Sequence, residues 1–203
     1  MQHGLVVRLR RLVALVAAAA VAAGSVVATA QAGGANNVVQ ATTTADGAAL
    51  GRSGVEVAPV GADTVTSTNL ALADARDCLG CRSVAVAFQT VLITRDASEV
   101  TPTNAAVATT ANCSGCVSYA FAFQYGLSTD GPVLLDVTGR QELADLRRRL
   151  ADTVQDDVPL ETLDASVRQL AAEFKDIIDR QLRRAGRTGA GTVHEQADRA
   201  PGA

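Results

Sequence analysis

The feature that most constrains this chain is an internal repeat with an offset of 35 residues. Residues 65–92 align with residues 100–127 without a gap, and 15 of the 28 paired positions are identical. Chance would give about two identities, so the segment 65–136 is predicted to hold one supersecondary unit built twice. Each copy is centred on a Cys-x-Gly-Cys sequence: Cys78-Leu-Gly-Cys81 and Cys113-Ser-Gly-Cys116.

Each copy carries a pattern with a period of two. After each cysteine pair, bulky side chains alternate with small ones, as in Val84–Gln89 and Tyr119–Gln124. This alternation is typical of β-strands and gives each strand one bulky and one small face. Each copy is therefore predicted to be a β-hairpin that turns at its cysteines. We expect the small, alanine-rich face to pack closely against another element such as a helix, with a binding groove as the alternative.

Residues 31–64 and 137–203 divide into three predicted regions. Residues 31–64 are rich in Gly, Ala, Asn and Thr without regular periodicity, which predicts a flexible leader. A short strand at 55–60 is the alternative for part of this segment. Residues 137–186 carry apolar side chains at steps of three and four, which predicts two helices. Residues 187–203 are predicted to be a disordered tail.

Together these elements predict an α+β fold class: two hairpins form a four-stranded antiparallel sheet, followed by a helical hairpin. We expect the helices to cover one face of the sheet with Phe174 as the anchor, because neither part has enough apolar surface alone. The alternative is that the second helix pairs with another protein or with a second copy of the chain.

The first 30 residues follow the pattern of a signal peptide. A basic start that ends at Arg11 precedes the uncharged apolar stretch 12–23, and Ala28 and Ala30 supply the small residues of a cleavage site. The chain is therefore expected to be secreted or extracytoplasmic. The alternative is an anchor that is not cleaved, and a membrane is an expected partner only in that case.

Charge argues against nucleic acid as a partner. The whole chain has a formal charge of −3, and removal of residues 1–30 leaves 15 basic and 21 acidic residues, a charge of −6. Binding to the phosphate backbone is driven by basic patches, which this balance does not favour.

Four cysteines are the candidate site residues: Cys78, Cys81, Cys113 and Cys116. Export favours disulfides, and a Cys-x-Gly-Cys turn keeps its two Cα atoms within disulfide range, so one bridge within each pair is expected. Bridges between the copies remain open, because closing a longer loop gives more entropic stabilisation. A zinc site with four cysteine ligands and a redox-active cysteine pair also remain open.

No catalytic, cofactor-binding or metal-binding residue is predicted outside these cysteines, and no cofactor is expected. The two histidines, His3 and His194, lie in the predicted signal peptide and tail, and no His-Glu-x-x-His motif is present. The expected function is an exported, non-enzymatic, disulfide-stapled structural or interaction module with an unknown protein or envelope partner. The alternative is an extracytoplasmic thiol redox or zinc-binding protein.

The segment 69–149 also resembles a known type of module. Its sequence runs Asn-x-Ala-x-Ala, Cys-x-Gly-Cys and Ala-x-Ala-Phe-Gln, given twice, then Gly-Arg-x-x-Leu-Ala-x-Leu-Arg. This order resembles the duplicated Cys-x-x-Cys module of exported or membrane-bound proteins of high-GC Gram-positive bacteria, which are mostly uncharacterised. Some of these modules are joined to predicted membrane zinc peptidases. The resemblance implies at most an accessory or recognition role, and it carries over no catalytic residue.

Overall fold

The structure is a computed structural model that describes residues 32–94 and 97–201, so the predicted signal peptide lies outside the described residues. The described residues form seven strands and two helices. In chain order these are β1 (Ala32–Thr43), β2 (Ala49–Val60), β3 (Thr64–Arg76), β4 (Arg82–Ile93), β5 (Glu99–Ala111), β6 (Val117–Thr129), α1 (Val137–Thr153), α2 (Leu160–Arg184) and β7 (Gly189–Pro201).

The strands form two sheets, and the chain alternates between them. Sheet A has the order β1-β3-β5, and all its pairs are parallel. Sheet B has the order β2-β4-β6-β7, in which only the last pair, β6 with β7, is antiparallel. The chain therefore coils three times, and each turn of the coil adds one strand to each sheet. Turn 1 comprises residues 32–60, turn 2 residues 64–93 and turn 3 residues 99–129.

The predicted fold class is wrong, because the structure has no four-stranded antiparallel sheet made of two hairpins in the part it describes. Strands β3 and β4 do not pair with each other across the first cysteine pair but lie in opposite sheets. A period of two identifies a strand and its two faces, but it does not say which strand is the hydrogen-bonded neighbour. The structure is mostly parallel sheet with two helices.

The parallel register explains why this arrangement forms from such a sequence. Each residue of β3 lies beside the residue 35 positions later in β5, so Asn69 pairs with Asn104. In the same way, Gln89 of β4 pairs with Gln124 of β6. In-register parallel strands place like side chains side by side, and stacked amides can then bond along the coil. An antiparallel hairpin sheet could not bring these identical residues together.

Two rows of polar side chains use this register inside the coil. In the first, which we call the asparagine ladder, Asn37 Nδ2 donates to Asn69 Oδ1 at 3.0 Å and Asn69 Nδ2 donates to Asn104 Oδ1 at 2.8 Å. In the second, the glutamine ladder, Gln124 Nε2 donates to Gln89 Oε1 and Gln89 Nε2 donates to Glu56 Oε2, both at 2.7 Å. Both ladders run through all three turns.

Two regional predictions are also wrong. The segment 31–64 was expected to be a flexible leader, but its described residues form β1 and β2, the first turn of the coil. The segment 187–203 was expected to be a disordered tail, but residues 189–201 form β7, which pairs along the whole of β6. Both segments are small and polar because they lie at the two ends of the coil, where one side of each strand is exposed.

The two helices cover the outer face of sheet B. Asp136 caps the N-terminus of helix α1, where its carboxylate accepts a hydrogen bond from Gly139 N at 2.6 Å, and α2 begins after Pro159. Both present apolar stripes to the bulky side chains of β4 and β6. Phe174 is fully buried there and stacks on Phe88 with ring centroids 5.8 Å apart, so it anchors the helices as predicted. No helix among the residues described is both long enough and apolar enough to cross a membrane.

The small face points to the other sheet, not to a helix. Alanines from both sheets meet between them and are almost fully buried; they are Ala71, Ala73, Ala85, Ala87, Ala106, Ala108, Ala120 and Ala122. Small side chains let the two sheets approach closely, which is why the alternation of bulky and small residues recurs in both copies. The expected close packing is therefore present, with a sheet as the partner.

Candidate functional site at the cysteine corners

The four cysteines lie at one edge of the coil, where the chain passes from sheet A to sheet B. We call residues 77–81 and 112–116 the cysteine corners. Each corner needs two residues with positive φ: Asp77 (56°) and Gly80 (63°) in the first, and Asn112 (49°) and Gly115 (66°) in the second. Asp, Asn and Gly are the residues that adopt this conformation most readily. The local sequence therefore specifies a sharp corner in turn 2 and in turn 3 of the coil.

Backbone hydrogen bonds stack the two corners on each other. Asp77 N donates to Ala111 O at 3.0 Å, Gly80 N donates to Ser114 O at 2.9 Å and Val117 N donates to Cys81 O at 2.9 Å. The side chain of Asn112 also donates to Asp77 Oδ1 at 2.9 Å. The corners thus continue the register of the strands they join.

A cysteine-free corner of the first turn covers the other side of the stack. Gly47 N donates to Leu79 O at 2.7 Å, and Leu79 N donates to Asp46 Oδ1 at 2.8 Å. The corner of turn 1 therefore covers the cysteine cluster on one side. Cys78, Cys81 and Cys116 are at most 3% exposed, while Cys113 is only partly buried.

The cysteines pair within each corner. The sulfur atoms of Cys78 and Cys81 lie at disulfide distance, and so do those of Cys113 and Cys116. The Cα atoms of the two pairs are 6.3 Å and 5.9 Å apart, inside the range that a disulfide spans. The structure therefore places the bridges where the sequence predicted them, within each pair.

The stacking of the corners also brings the two cysteine pairs close to each other. The prediction of one disulfide within each pair did not include this proximity. Cys78 Sγ lies 3.6 Å from Cys113 Sγ, and Cys81 N lies 3.3 Å from Cys116 Sγ. All four sulfur atoms lie within 4.8 Å of one another. The arrangement can hold two adjacent disulfides, or four thiolates that point at one centre.

A cavity between the sheets is a second place where polar groups converge. It has a volume of about 270 Å³ and lies beside β5, β6 and β7 at the last turn of the coil. Gln124, the last member of the glutamine ladder, lines it together with His194. The Gln124 side chain is 1% exposed, and its Oε1 has no hydrogen-bond partner among the described residues. His194 was expected in a disordered tail and instead lies in β7, opposite Gln124.

The largest pKa changes occur where sheet B meets α2. Burial raises the pKa of Tyr119, and its hydrogen bond to the carboxylate of Asp164 at 2.8 Å raises it further. Burial also raises the pKa of Tyr125, which donates to Asp179 at 2.9 Å. Both phenols are therefore held in the protonated form, which suits them to joining the helix to the sheet and not to acting as bases.

Asp164 is the centre of this network. Burial alone would raise the pKa of its carboxyl, but hydrogen bonds from Arg168 and Tyr119 hold that pKa below its usual value. Arg199 of β7 adds a third contact at 3.1 Å. The network links β6, β7 and α2.

Sequence reasoning missed the polar ladders and the cavity. Asn104 and Gln124 belong to the duplicated motifs of the repeat, and a buried amide on a small face is a signal for a bonded partner. Asn37 and Glu56 belong to turn 1, whose offsets from turn 2 are 32 and 33 residues and not 35. A search for asparagine, glutamine and glutamate on small faces at a relaxed spacing identifies both residues.

Comparison with known protein-family models, with curated proteins and with solved structures gave no match to this chain.

Proposed function

We propose that this chain is an exported, non-enzymatic structural or interaction module built from a duplicated unit, whose corners are closed by disulfides. The single observation that carries the proposal is the pairing of the four cysteines within two stacked corners. Disulfides persist in oxidising compartments, and the signal-peptide pattern of residues 1–30 supports the same location.

The distribution of polar groups supports a non-enzymatic role. The buried polar side chains mostly bond along the coil, in the two ladders, or fasten α2 to sheet B. The tyrosines with the most displaced pKa values serve this fastening. Such groups keep a fold in register and rigid, which is what a scaffold requires.

The free outer face of sheet A supports an interaction role. The helices cover sheet B, whereas the outward side chains of β1, β3 and β5 face solvent. Val38 is 58% exposed and Val107 is 42% exposed on this face. We propose that an unknown protein or envelope partner binds outside the cell or outside the membrane, in keeping with the accessory role that the resemblance implies.

Expression of the whole chain, with its predicted signal peptide of residues 1–30, in a high-GC Gram-positive host tests this proposal. We expect the chain in the culture medium, beginning at Gln31 or Gly33, with peptide maps that join Cys78 to Cys81 and Cys113 to Cys116. Retention of Met1 in the membrane fraction would contradict secretion. Free thiols in the exported protein, or a peptide that joins the two corners, would contradict the disulfide arrangement.

The second candidate is a thiol redox or zinc-binding protein. One observation favours it: four sulfur atoms within 4.8 Å of one another, three of them buried. Zinc and free thiols measured in protein purified from its native compartment distinguish it from the first. Oxidised, metal-free protein supports the module, and stoichiometric zinc on free thiols supports the second candidate.

A further inference from the structure

We propose that the cysteine corners form a second site when they are reduced: the four thiolates bind one Zn²⁺ in a tetrahedral site that bridges turns 2 and 3 of the coil. This inference goes beyond the disulfide-closed module, because it concerns the same four residues in a different chemical state. It requires that the fold, and not the disulfides, brings the two pairs together.

The sulfur positions fit one tetrahedral ion. A zinc–sulfur bond of about 2.3 Å gives neighbouring ligand sulfurs in a tetrahedron a separation of about 3.8 Å. Here Cys78 Sγ and Cys113 Sγ, which belong to different corners, are 3.6 Å apart, and no two of the four sulfurs are more than 4.8 Å apart. Opening the two sulfur–sulfur bonds lets each pair spread to the zinc spacing through side-chain rotation, without a change in the backbone.

The backbone of the corners is held by contacts that do not involve sulfur. Gly80 N to Ser114 O and Asn112 to Asp77 hold one corner on the other, and Leu79 fastens the first of them to the corner of turn 1. These bonds persist when the disulfides are reduced. The ligand set is therefore preorganised, which distinguishes it from two Cys-x-Gly-Cys sequences on a mobile chain.

The surroundings suit a structural zinc site. Three of the sulfurs are buried, and the backbone N–H of Cys81 points at Cys116 Sγ, a donor that stabilises a thiolate. Cys113 is partly exposed and provides the route by which an ion enters. Soft thiolate ligands in a tetrahedral arrangement select zinc over magnesium or calcium.

The chemistry balances as a reduction followed by an exchange of protons for metal. Each disulfide accepts two electrons and two protons from a dithiol reductant, which itself becomes a disulfide, so two equivalents of the dithiol release four thiols. Zinc then displaces four protons and forms a site with a net charge of −2. The same sulfurs serve both states, so the step is reversible. Two equivalents of a small-molecule disulfide accept four electrons and four protons, become the dithiol, restore the two protein disulfides and release the ion.

The test uses the full mature chain without a polyhistidine tag, reduced with a phosphine under anaerobic conditions and titrated with Zn²⁺ or Co²⁺. We expect one ion per chain, the visible absorption bands of tetrahedral cobalt thiolate, and four thiols protected from alkylation by zinc. Cys113→Ser should weaken binding by more than the roughly 10–100-fold that loss of an outer-shell partner causes. Ser114→Ala is the matched control: position 114 offers only its backbone carbonyl to the stack, so its binding should equal that of the wild type.

Several results would overturn the inference. No binding, two ions per chain, or a Cys113→Ser protein that binds like the wild type would each show that the four sulfurs do not act on one centre. Circular dichroism of the reduced protein covers the case of unfolding: restoration of the fold by zinc supports the site, and failure of zinc to restore it contradicts the site. None of these measurements depends on export or on the disulfides of the secreted protein, so the two proposals can fail separately.

Discussion

Strands β4 and β6 bury both of their faces, but the two faces are filled in different ways. The outer face carries large side chains that meet the helices, including Phe88, Phe121 and Phe123. The inner face carries alanines and the ladder amides and meets sheet A. The same two strands therefore contribute to two cores. The core against the helices depends on side-chain volume, and the core against sheet A depends on the close approach of the two sheets.

The difference shows how each core resists change. The helix side is stabilised mainly by the apolar area that large side chains remove from water, so it is sensitive to loss of volume. The inner side contains little apolar volume to lose, but at the alanines, away from the cavity beside Gln124, close packing leaves no space for additional atoms. Its specificity comes from the ladders, which fix the register of the strands.

The largest expected effect is loss of volume in the helix-side core. Phe174 is fully buried and lies 5.8 Å from Phe88 and 6.3 Å from Phe123 between ring centroids, so Phe174→Ala should lower the free energy of unfolding by about 3–5 kcal/mol. Chemical denaturation measures the change. The control is Leu134→Ala, since Leu134 is 81% exposed and its loss should cost less than about 0.5 kcal/mol.

The same variant decides the alternative in which α2 pairs with a second copy. If α2 associated with another chain through Phe174, the mutation would lower the mass found by sedimentation and leave the unfolding of the dilute monomer unchanged. An unaltered monomer would contradict the helix-side core.

A somewhat smaller effect is expected from added volume on the inner face. Ala87 is fully buried between the sheets, so Ala87→Leu should destabilise the fold by about 3 kcal/mol, the upper part of the range for overpacking. Ala105→Leu is the matched control, because Ala105 lies on the outer face of sheet A beside Leu70 and is only partly buried. Thermal unfolding compares the two; equal melting temperatures would show that the inner face is not tightly packed.

This comparison also shows what could be predicted from the sequence. The period of two in Val84–Gln89 and Tyr119–Gln124 predicted both faces, and the helical stripes predicted α1, α2 and the burial of Phe174. These features are local, because they follow from the geometry of a single strand or helix. The pairing of the cysteines was also local, since a four-residue turn limits how far apart its ends can lie.

What could not be predicted was long-range pairing. Whether β3 pairs with β4 or with β5 depends on the corner at residues 77–81 and on ladder bonds between residues 35 positions apart, and an alternating pattern fits both arrangements. The sequence does not reveal turn 1 as a further copy of the coil. Only Asn37/Asn69 and Ala41/Ala73 are identical among its 24 positions paired with turn 2. The cluster of four sulfurs depended on the same missing information, because it exists only when the corners stack.

The smallest expected effect concerns the edge of the helix-side core, where a tyrosine joins the two elements. Tyr119→Phe keeps the ring and removes the hydrogen bond to Asp164, so it should cost about 2 kcal/mol at neutral pH, as expected for a bond to a charged group. Burial and Asp164 raise the pKa of Tyr119 in the folded state above the value of about 10 of an unfolded chain. The fold therefore favours the protonated phenol, and this contribution is present below about pH 10 and is lost as the pH rises further.

The chain has two tyrosines, so each phenol can be followed alone. In Tyr125→Phe protein the only tyrosine is Tyr119, and its tyrosinate absorbance should rise together with unfolding, not before it. In Tyr119→Phe protein the loss of stability above about pH 10 should be shallower than in the wild type. The remaining alkaline response then comes from Tyr125, whose pKa is also raised by burial and by its hydrogen bond to Asp179. Ionisation of Tyr119 near pH 10 in a protein that is still folded would show that this edge of the helix-side core is open to water. The part of that core that depends on side-chain volume would then consist of the phenylalanines alone.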